Sequence, residues 1–109
     1  MSRQLPSVTH LQFLVLEALA GAEQAGRDLR VFLARHKVRT SAPAFYQMMA
    51  RLEAASLVDG RYDQKVIGGQ LLKERRYRLL PAGRRALAET ENFYLERLAA
   101  SRRTRRSHA

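Results

Sequence analysis

The sequence contains no cysteine, which excludes disulfides, thiolate chemistry and zinc sites built on cysteine. No segment approaches the roughly 20 consecutive apolar residues of a membrane-spanning helix. The segment around Arg3, Gln4 and Pro6 also lacks the apolar core of a signal peptide. We therefore expect a cytoplasmic protein that has no membrane partner.

Acidic residues are scarce as well. The chain has 10 Asp and Glu against 20 Lys and Arg, which gives a formal net charge of +10. A charge this large on a small chain indicates an anionic partner, nucleic acid before a membrane surface. The 109 residues suffice for one compact domain and leave almost no room for a second.

Residues with catalytic chemistry are few and scattered. His10, His36 and His108 fall at a helix start, in a basic turn and in the tail, without a paired carboxylate or nucleophile at a recognisable spacing. The Gly68-Gly69 pair suits a turn and does not form a phosphate-binding loop. The sequence thus predicts no enzyme, no metal site and no cofactor.

Apolar residues recur at helical spacing in four stretches, which predicts helices over about 9–21, 28–36, 42–56 and 81–98. The expected N-terminal signals are Ser7 or Thr9 for the first helix, Thr40 or Ser41 with Pro43 for the third, and Pro81 for the fourth. Between the last two helices, Tyr77 and Leu79 alternate with arginines, as in a half-buried strand. Two strands and a flexible glycine-containing tip make a hairpin.

These elements predict one domain over residues 1–98, whose last helix spans about 81–98. Residues 99–109 are rich in arginine and poor in apolar side chains, and we expect them to form a disordered basic tail. The order helix, helix, turn, helix, hairpin, helix is typical of a winged helix-turn-helix. The predicted fold class is mainly α (α+β), with a two-stranded β-hairpin wing and a C-terminal dimerisation helix.

The third helix has the surface chemistry of a recognition helix. Opposite its apolar side lie small alanines that let the backbone approach a groove, together with Gln47, which can pair with adenine, and Arg51, which can pair with guanine or phosphate. An ordinary solvated helix face is the alternative. The candidate DNA-contacting residues here are Thr40, Ser41, Pro43, Ala44, Tyr46, Gln47 and Arg51.

Cations crowd the predicted hairpin. Such a density around a mobile loop favours phosphate binding with a strong salt dependence, although a charged edge that resists aggregation is the alternative. The candidate wing contacts are Arg61, Lys65, Gln70, Lys73, Arg75 and Arg76.

The segments Ser41–Glu53, Ser56–Val58 and Arg76–Gly83 together resemble the PadR-like family of winged helix-turn-helix transcriptional regulators, and the similarity covers about residues 9–98. The resemblance implies a sequence-specific regulator of double-stranded DNA, expected to be a repressor, that acts as a homodimer on a pseudo-palindromic operator. It also implies that Ser41, Pro43, Tyr46 and Gln47 lie at the groove-facing end of the recognition helix.

The family resemblance further implies that the first and last helices cross a subunit interface. The expected interface residues are Phe13, Leu16, Leu87, Tyr94 and Leu98. Filling of the monomer core by these side chains is the alternative. A pocket between paired helices is compatible with an unknown small-molecule effector, but the residues do not separate such a pocket from ordinary packing.

The main rival function is an RNA- or nucleoid-associated basic protein without operator specificity. RNA binding predicts exposed aromatic side chains on a sheet, for which Tyr62 is the one loose candidate. The other rival, a winged helix that binds only proteins, predicts an acidic or neutral recognition face, contrary to Gln47, Arg51 and the basic hairpin.

Overall fold

The computed structural model describes residues 7–107. Its elements in chain order are α1 (His10–Gly21), β1 (Gln24–Ala25), α2 (Gly26–Arg35), α3 (Ala42–Ala54), β2 (Val58–Ile67), β3 (Gln70–Leu79) and α4 (Pro81–Ser107). The sequence expectations for residues 1–6 and 108–109 lie outside the described residues.

Side-chain caps set the starts of α1 and α3. At α1 the Gln12 amide donates to Thr9 Oγ1 at 3.1 Å while Thr9 N donates to Gln12 Oε1 at 3.0 Å, which satisfies two otherwise unpaired amides. At α3 the Ala44 amide donates to Ser41 Oγ at 3.2 Å. Thr9 and Ser41 are therefore the caps, and Pro43 lies in the first turn of α3, as predicted.

The three strands form one antiparallel sheet in the order β1-β3-β2. The hairpin β2–β3 runs in unbroken register from Val58 opposite Leu79 to Ile67 opposite Gln70, and Gly68-Gly69 close it with positive φ angles of 58° and 78°. The two-stranded wing is thus confirmed. The short β1, which pairs Gln24 with Tyr77, was not predicted, because two residues are too few to show an alternating pattern.

One apolar core joins the helices to the inner end of the hairpin. It contains side chains from α1, α2, α3, both long strands and the start of α4. Residues below a tenth exposed in this core are Val15, Leu16, Leu19, Leu29, Leu33, Phe45, Met48, Met49, Leu52, Val58, Tyr77, Leu79 and Leu87. The core therefore anchors one side of α3 and leaves its other side in solvent.

Helix α4 differs from the sequence prediction. It continues without a break from Pro81 to Ser107, so the expected helix end near residue 98 and the expected disorder of residues 99–107 are wrong. This segment contains alanines and arginines, which are strong helix formers, and no glycine or proline to stop the helix. Thr104 Oγ1 also donates to the Ala100 carbonyl at 3.0 Å.

None of the helices within residues 7–107 is long and apolar enough to cross a membrane.

Candidate nucleic-acid interface

The exposed side of α3 is the central feature of the candidate interface. Phe45, Met49 and Leu52 are buried beneath it and fix the helix in the domain. Pro43, Ala44, Tyr46, Gln47 and Arg51 face solvent together with Ala50 and Ala54. The one acid of α3, Glu53, is half-buried and paired with Arg75 of the wing, so the fully exposed residues of this side are neutral or cationic.

The N-terminus of α3 adds a partial positive charge to this surface, because unpaired amides and the helix dipole favour anions there. Ser41 is exposed, and Thr40 is half-buried with its hydroxyl donating to the Ser41 carbonyl at 3.4 Å. The structure therefore brings the seven candidate residues of this region onto or next to one accessible surface.

Tyr46 is held in place more firmly than its neighbours. Its ring meets Phe45 edge-on at a centroid distance of 5.0 Å and covers Gly26, where a Cβ would lie 2.9 Å from the Tyr46 hydroxyl. Just over a third of Tyr46 remains exposed. The ring thus links α3 to the start of α2 and still presents an edge to solvent.

In the inner half of the wing, residues 58–63 and 74–79, an ion pair joins the wing to α3. The Arg75 guanidinium donates to the Glu53 carboxylate and lies over the Tyr62 ring at 4.7 Å from its centroid. The same guanidinium lies 5.9 Å from the centroid of the Tyr77 ring. Burial raises the pKa of the Tyr77 phenol to about 12. Arg75 therefore serves to fix the wing against the helix.

A second carboxylate network holds the other inner cations. Glu23 accepts from Arg61 at 2.9 Å and from Arg76 at 3.5 Å, while Glu74 accepts from Arg76 at 3.0 Å. The bond from Arg61 lowers the pKa of Glu23 below its ordinary value. The neighbouring Lys65 ammonium, 3.2 Å from Glu74, and Arg76 likewise lower the pKa of Glu74.

The predicted wing contacts thus divide into two groups. Arg61, Lys65, Arg75 and Arg76 all have carboxylate partners, which compete with any phosphate for their charge. Lys73 and Gln70 are exposed, and Lys73 has no carboxylate partner within residues 7–107. The number of cations in the wing sequence therefore overstates the charge that is available in the free protein.

An open cleft of about 600 Å³ lies between α3 and the wing. The sequence did not predict this cleft, because its lining residues come from four elements whose proximity no local pattern encodes. Its lining residues are Arg27, Tyr46, Ala50, Glu53, Tyr62, Lys73, Glu74, Arg75 and Tyr77. The cleft places one face of the wing beside the exposed side of α3.

The end of α2 and the turn before α3 supply further exposed cations. Arg35, Lys37 and Arg39 face solvent and have no carboxylate partner among the described residues. They flank the N-terminus of α3 and extend its positive surface.

The five predicted interface residues separate into core and surface. Leu16 and Leu87 are buried inside the chain, so their assignment to a subunit interface is wrong; the small domain uses them to close its own core. Phe13 is half-buried, whereas Tyr94 and Leu98 are more than half exposed. Leu95, which the sequence analysis did not include, is also exposed and lies on the same helix.

A second cavity, of about 390 Å³, lies between the start of α1 and α4. Phe13 and Tyr94 line it together with Val8, Thr9, His10, Thr90 and Glu91. Residues 7–107 contain no group of three or more His, Asp or Glu arranged to hold a metal ion.

Solved structures with the same arrangement of elements define the class of fold. A PadR family transcription regulator from Clostridium difficile R20291 has a TM-score of 0.74 at 14% identity, with 88% of this chain and 98% of that chain covered. The adhesin competence repressor AdcR from Streptococcus pyogenes has a TM-score of 0.61 at 18% identity, with coverages of 93% and 68%. The chain is a winged helix.

A PadR family transcriptional regulator from Eggerthella lenta DSM 2243 is 26% identical, with a TM-score of 0.65 over 84% of this chain and 80% of that chain. The chain therefore has the winged-helix fold of these PadR family regulators, which confirms at the level of the fold the resemblance found in the sequence. No family model and no curated protein matches the sequence.

Proposed function

We propose that the chain is a transcription regulator that binds double-stranded DNA as a homodimer, with α3 as the recognition helix. The observation that carries the proposal is the exposed side of α3, which is free of acids, anchored by a buried apolar back and preceded by exposed cations. The solved regulators that share the fold support the same role.

In this proposal α3 enters the major groove through its N-terminal half. Gln47 and Tyr46 would contact base edges, Ser41 would contact the backbone, and Ala44 and Ala50 would permit close approach. Arg39 and Lys73 lie on either side and would contact phosphates. The protein would act in the cytoplasm as a repressor by occupying an operator.

Exposed apolar residues on α4 support the dimer. Glu91, Leu95, Leu98 and Arg102 follow the i, i+4, i+7, i+11 spacing of one helix face, and Tyr94 adjoins it. If two copies pair antiparallel with Leu95 opposite Leu98, Glu91 of each copy falls opposite Arg102 of the other. A parallel pairing would instead set like charges against each other, so the charge pattern favours the antiparallel arrangement.

The dimer is tested by sedimentation of charge-reversal variants at low salt. Glu91→Arg and Arg102→Glu should each weaken self-association, and the double variant should recover it. Val31→Asp, which alters an exposed apolar residue on α2, is the control and should leave association unchanged. A monomeric wild-type chain would contradict the dimer.

DNA recognition is tested by selection from a random double-stranded DNA pool at physiological salt. We expect a two-fold motif with half-sites about one helical turn apart. Tyr46→Ala and Gln47→Ala should reduce binding to the selected motif by about tenfold while changing random-DNA binding much less. Asn92→Ala, which removes an exposed amide on α4, is the matched control. Equal losses on both DNAs would contradict base reading by α3.

An RNA- or nucleoid-associated role is the second candidate. It is favoured by the exposed Tyr62 ring on the hairpin and by the exposed arginines at the end of α4. This role would be supported if no motif were recovered from the DNA pool and if the protein bound single-stranded RNA as tightly as it binds duplex DNA.

A further inference from the structure

The outermost part of the hairpin, residues 66–72, has a different chemistry from the rest of the wing, and we name it the wing tip. It carries four aliphatic side chains that the fold of residues 7–107 leaves exposed. The exposed fractions are 71% for Val66, 56% for Ile67, 62% for Leu71 and 41% for Leu72. A cluster of this kind at the end of a projecting element indicates a surface that is buried in a complex.

The register shows that both faces of the wing tip are apolar. Val66 is opposite Leu71, and side chains of directly opposed residues share a face. Ile67 and Leu72 belong to the other face, because successive side chains alternate. The tip is therefore a thin wedge with aliphatic groups on each side.

One lysine lies behind the apolar residues on each face. Lys73 shares the face of Leu71 and is exposed, whereas Lys65 shares the face of Leu72 and is half exposed beside Glu74. Residues 64–73 contain no Asp or Glu. This charge pattern fits a polyanion with negative groups on both sides of an apolar slot.

The end of the wedge is narrow. Gly68 and Gly69 form the turn in the left-handed region that glycine favours, and no heavy atom lies within 4 Å of the place where either Cβ would be. A sheet with side chains on both faces is about 10 Å thick, and the minor groove of B-DNA is about 6 Å wide with phosphates along both edges. Entry of the tip therefore requires the groove to open, as it does when an apolar wedge kinks the duplex.

The wing lies on the same side of the domain as the exposed side of α3. Lys73 and Tyr62 line the cleft that Tyr46 and Ala50 of α3 share. An α3 docked in the major groove therefore has the wing beside it, directed toward the adjacent part of the duplex.

We propose that the wing tip inserts into the DNA minor groove as an apolar wedge, with Val66 and Leu71 against the sugar and base edges and Lys65 and Lys73 on the flanking phosphates. Aliphatic wedges that unstack a base step bend the duplex. The inference rests on the proposed function, since it requires that the full-length chain binds duplex DNA.

The test compares wild type with a Val66→Thr, Leu71→Thr double variant of the full chain on a mixed-sequence duplex of about 30 base pairs labelled at both ends. We expect about tenfold weaker binding by the variant and loss of the end-to-end shortening that wild type produces. The slope of log affinity against log salt should stay unchanged, because both lysines remain. Val31→Thr is the control for an exposed aliphatic residue elsewhere.

The possible failures are distinguishable. If wild type binds no duplex DNA, the proposed function fails and the wedge fails with it. If wild type binds and the double variant binds and bends the duplex equally well, only the wedge is overturned. If the double variant instead changes the sedimentation of the free protein, the tip is a protein contact and the inference is also overturned.

Discussion

The inner half of the wing and residues 64–73 beyond it differ in what their cations contact. In the inner half, Arg61, Arg75, Arg76 and Arg78 each have a carboxylate within ion-pairing distance. The outer residues contain no acid of their own, and their apolar side chains are in solvent. Of their two cations, Lys65 pairs with Glu74 of the inner half and Lys73 has no carboxylate partner within residues 7–107. The inner half is therefore built to hold the wing against the domain, and the outer part is left open for a partner.

The largest expected effect comes from packing beneath the inner half. A Cβ at Gly83 would collide with the Leu57 carbonyl, which is backbone and cannot rotate away. Gly83→Ala should therefore reduce the free energy of unfolding in urea by about 3 kcal/mol. Gly69→Ala at the wing tip meets no atom within 4 Å and should lose only about 1 kcal/mol through its positive φ.

Gly21→Ala provides the control, because it meets neither a steric contact nor a positive φ. It should be neutral or slightly stabilising. Equal losses for the Gly83 and Gly69 variants would show that the inner half is no more tightly packed than the tip.

Glu53→Gln tests whether the inner ion pairs withhold charge from DNA. Loss of the pair with Arg75 should lower the free energy of unfolding by about 1 kcal/mol. Duplex affinity should rise because the Arg75 charge is released, with a salt slope steeper by up to about one phosphate contact. Urea unfolding and binding titrations over a range of salt concentrations measure both effects.

Glu17→Gln is the matched control, since it removes an exposed acid of α1 that has no wing contact. If both variants raise duplex affinity equally, net charge alone explains the gain. The division between paired and available cations would then be wrong.

Acid titration tests how much the carboxylates that bind the inner cations of the wing stabilise the fold. Arg61 lowers the pKa of Glu23, and Lys65 with Arg76 lowers the pKa of Glu74, both from an ordinary 4.5. Because the folded-state pKa is depressed, the stabilisation is present above the unfolded-state value and is lost as pH falls through the folded one. We expect the melting temperature to fall from about pH 4.5 downward as Glu23 and Glu74 become protonated.

Glu23→Gln and Glu74→Gln should each make that fall less steep in thermal unfolding between about pH 6 and about pH 3. Glu89→Gln, which changes an exposed carboxylate on α4, is the control. An unchanged slope in both of these variants would mean that the carboxylate network does not stabilise the fold in solution.

Local patterns in the sequence predicted most of the fold. The Thr9 and Ser41 caps, the alternation around Tyr77 and the glycine pair at the turn are each encoded within a few residues, and the structure has them where expected. The two-residue strand β1 is too short to carry a period. The continuation of α4 beyond residue 98 was missed because charge composition was given more weight than helix propensity.

The candidate site was less predictable because its key contacts are long-range. Glu53 lies 22 residues from Arg75, and Glu23 lies 38 residues from Arg61, so no local pattern shows that these cations are paired. By contrast, the aliphatic pairs on both sides of Gly68-Gly69 are visible in the sequence. Their exposure follows only from the length of the hairpin, which carries them beyond the core.

The smallest expected effect is that of Arg78→Ala. Arg78 pairs with Asp59 at 3.0 Å, but the side chains are 61% and 44% exposed. Water screens the attraction between them, and the entropy of holding two side chains offsets it. The loss in urea unfolding should stay below about 0.5 kcal/mol. Arg75→Ala, which also removes the contact with Tyr62, should cost more. If Arg78→Ala lowered the free energy of unfolding as much as Arg75→Ala, solvent exposure would not explain how strongly each ion pair of the inner half stabilises the fold.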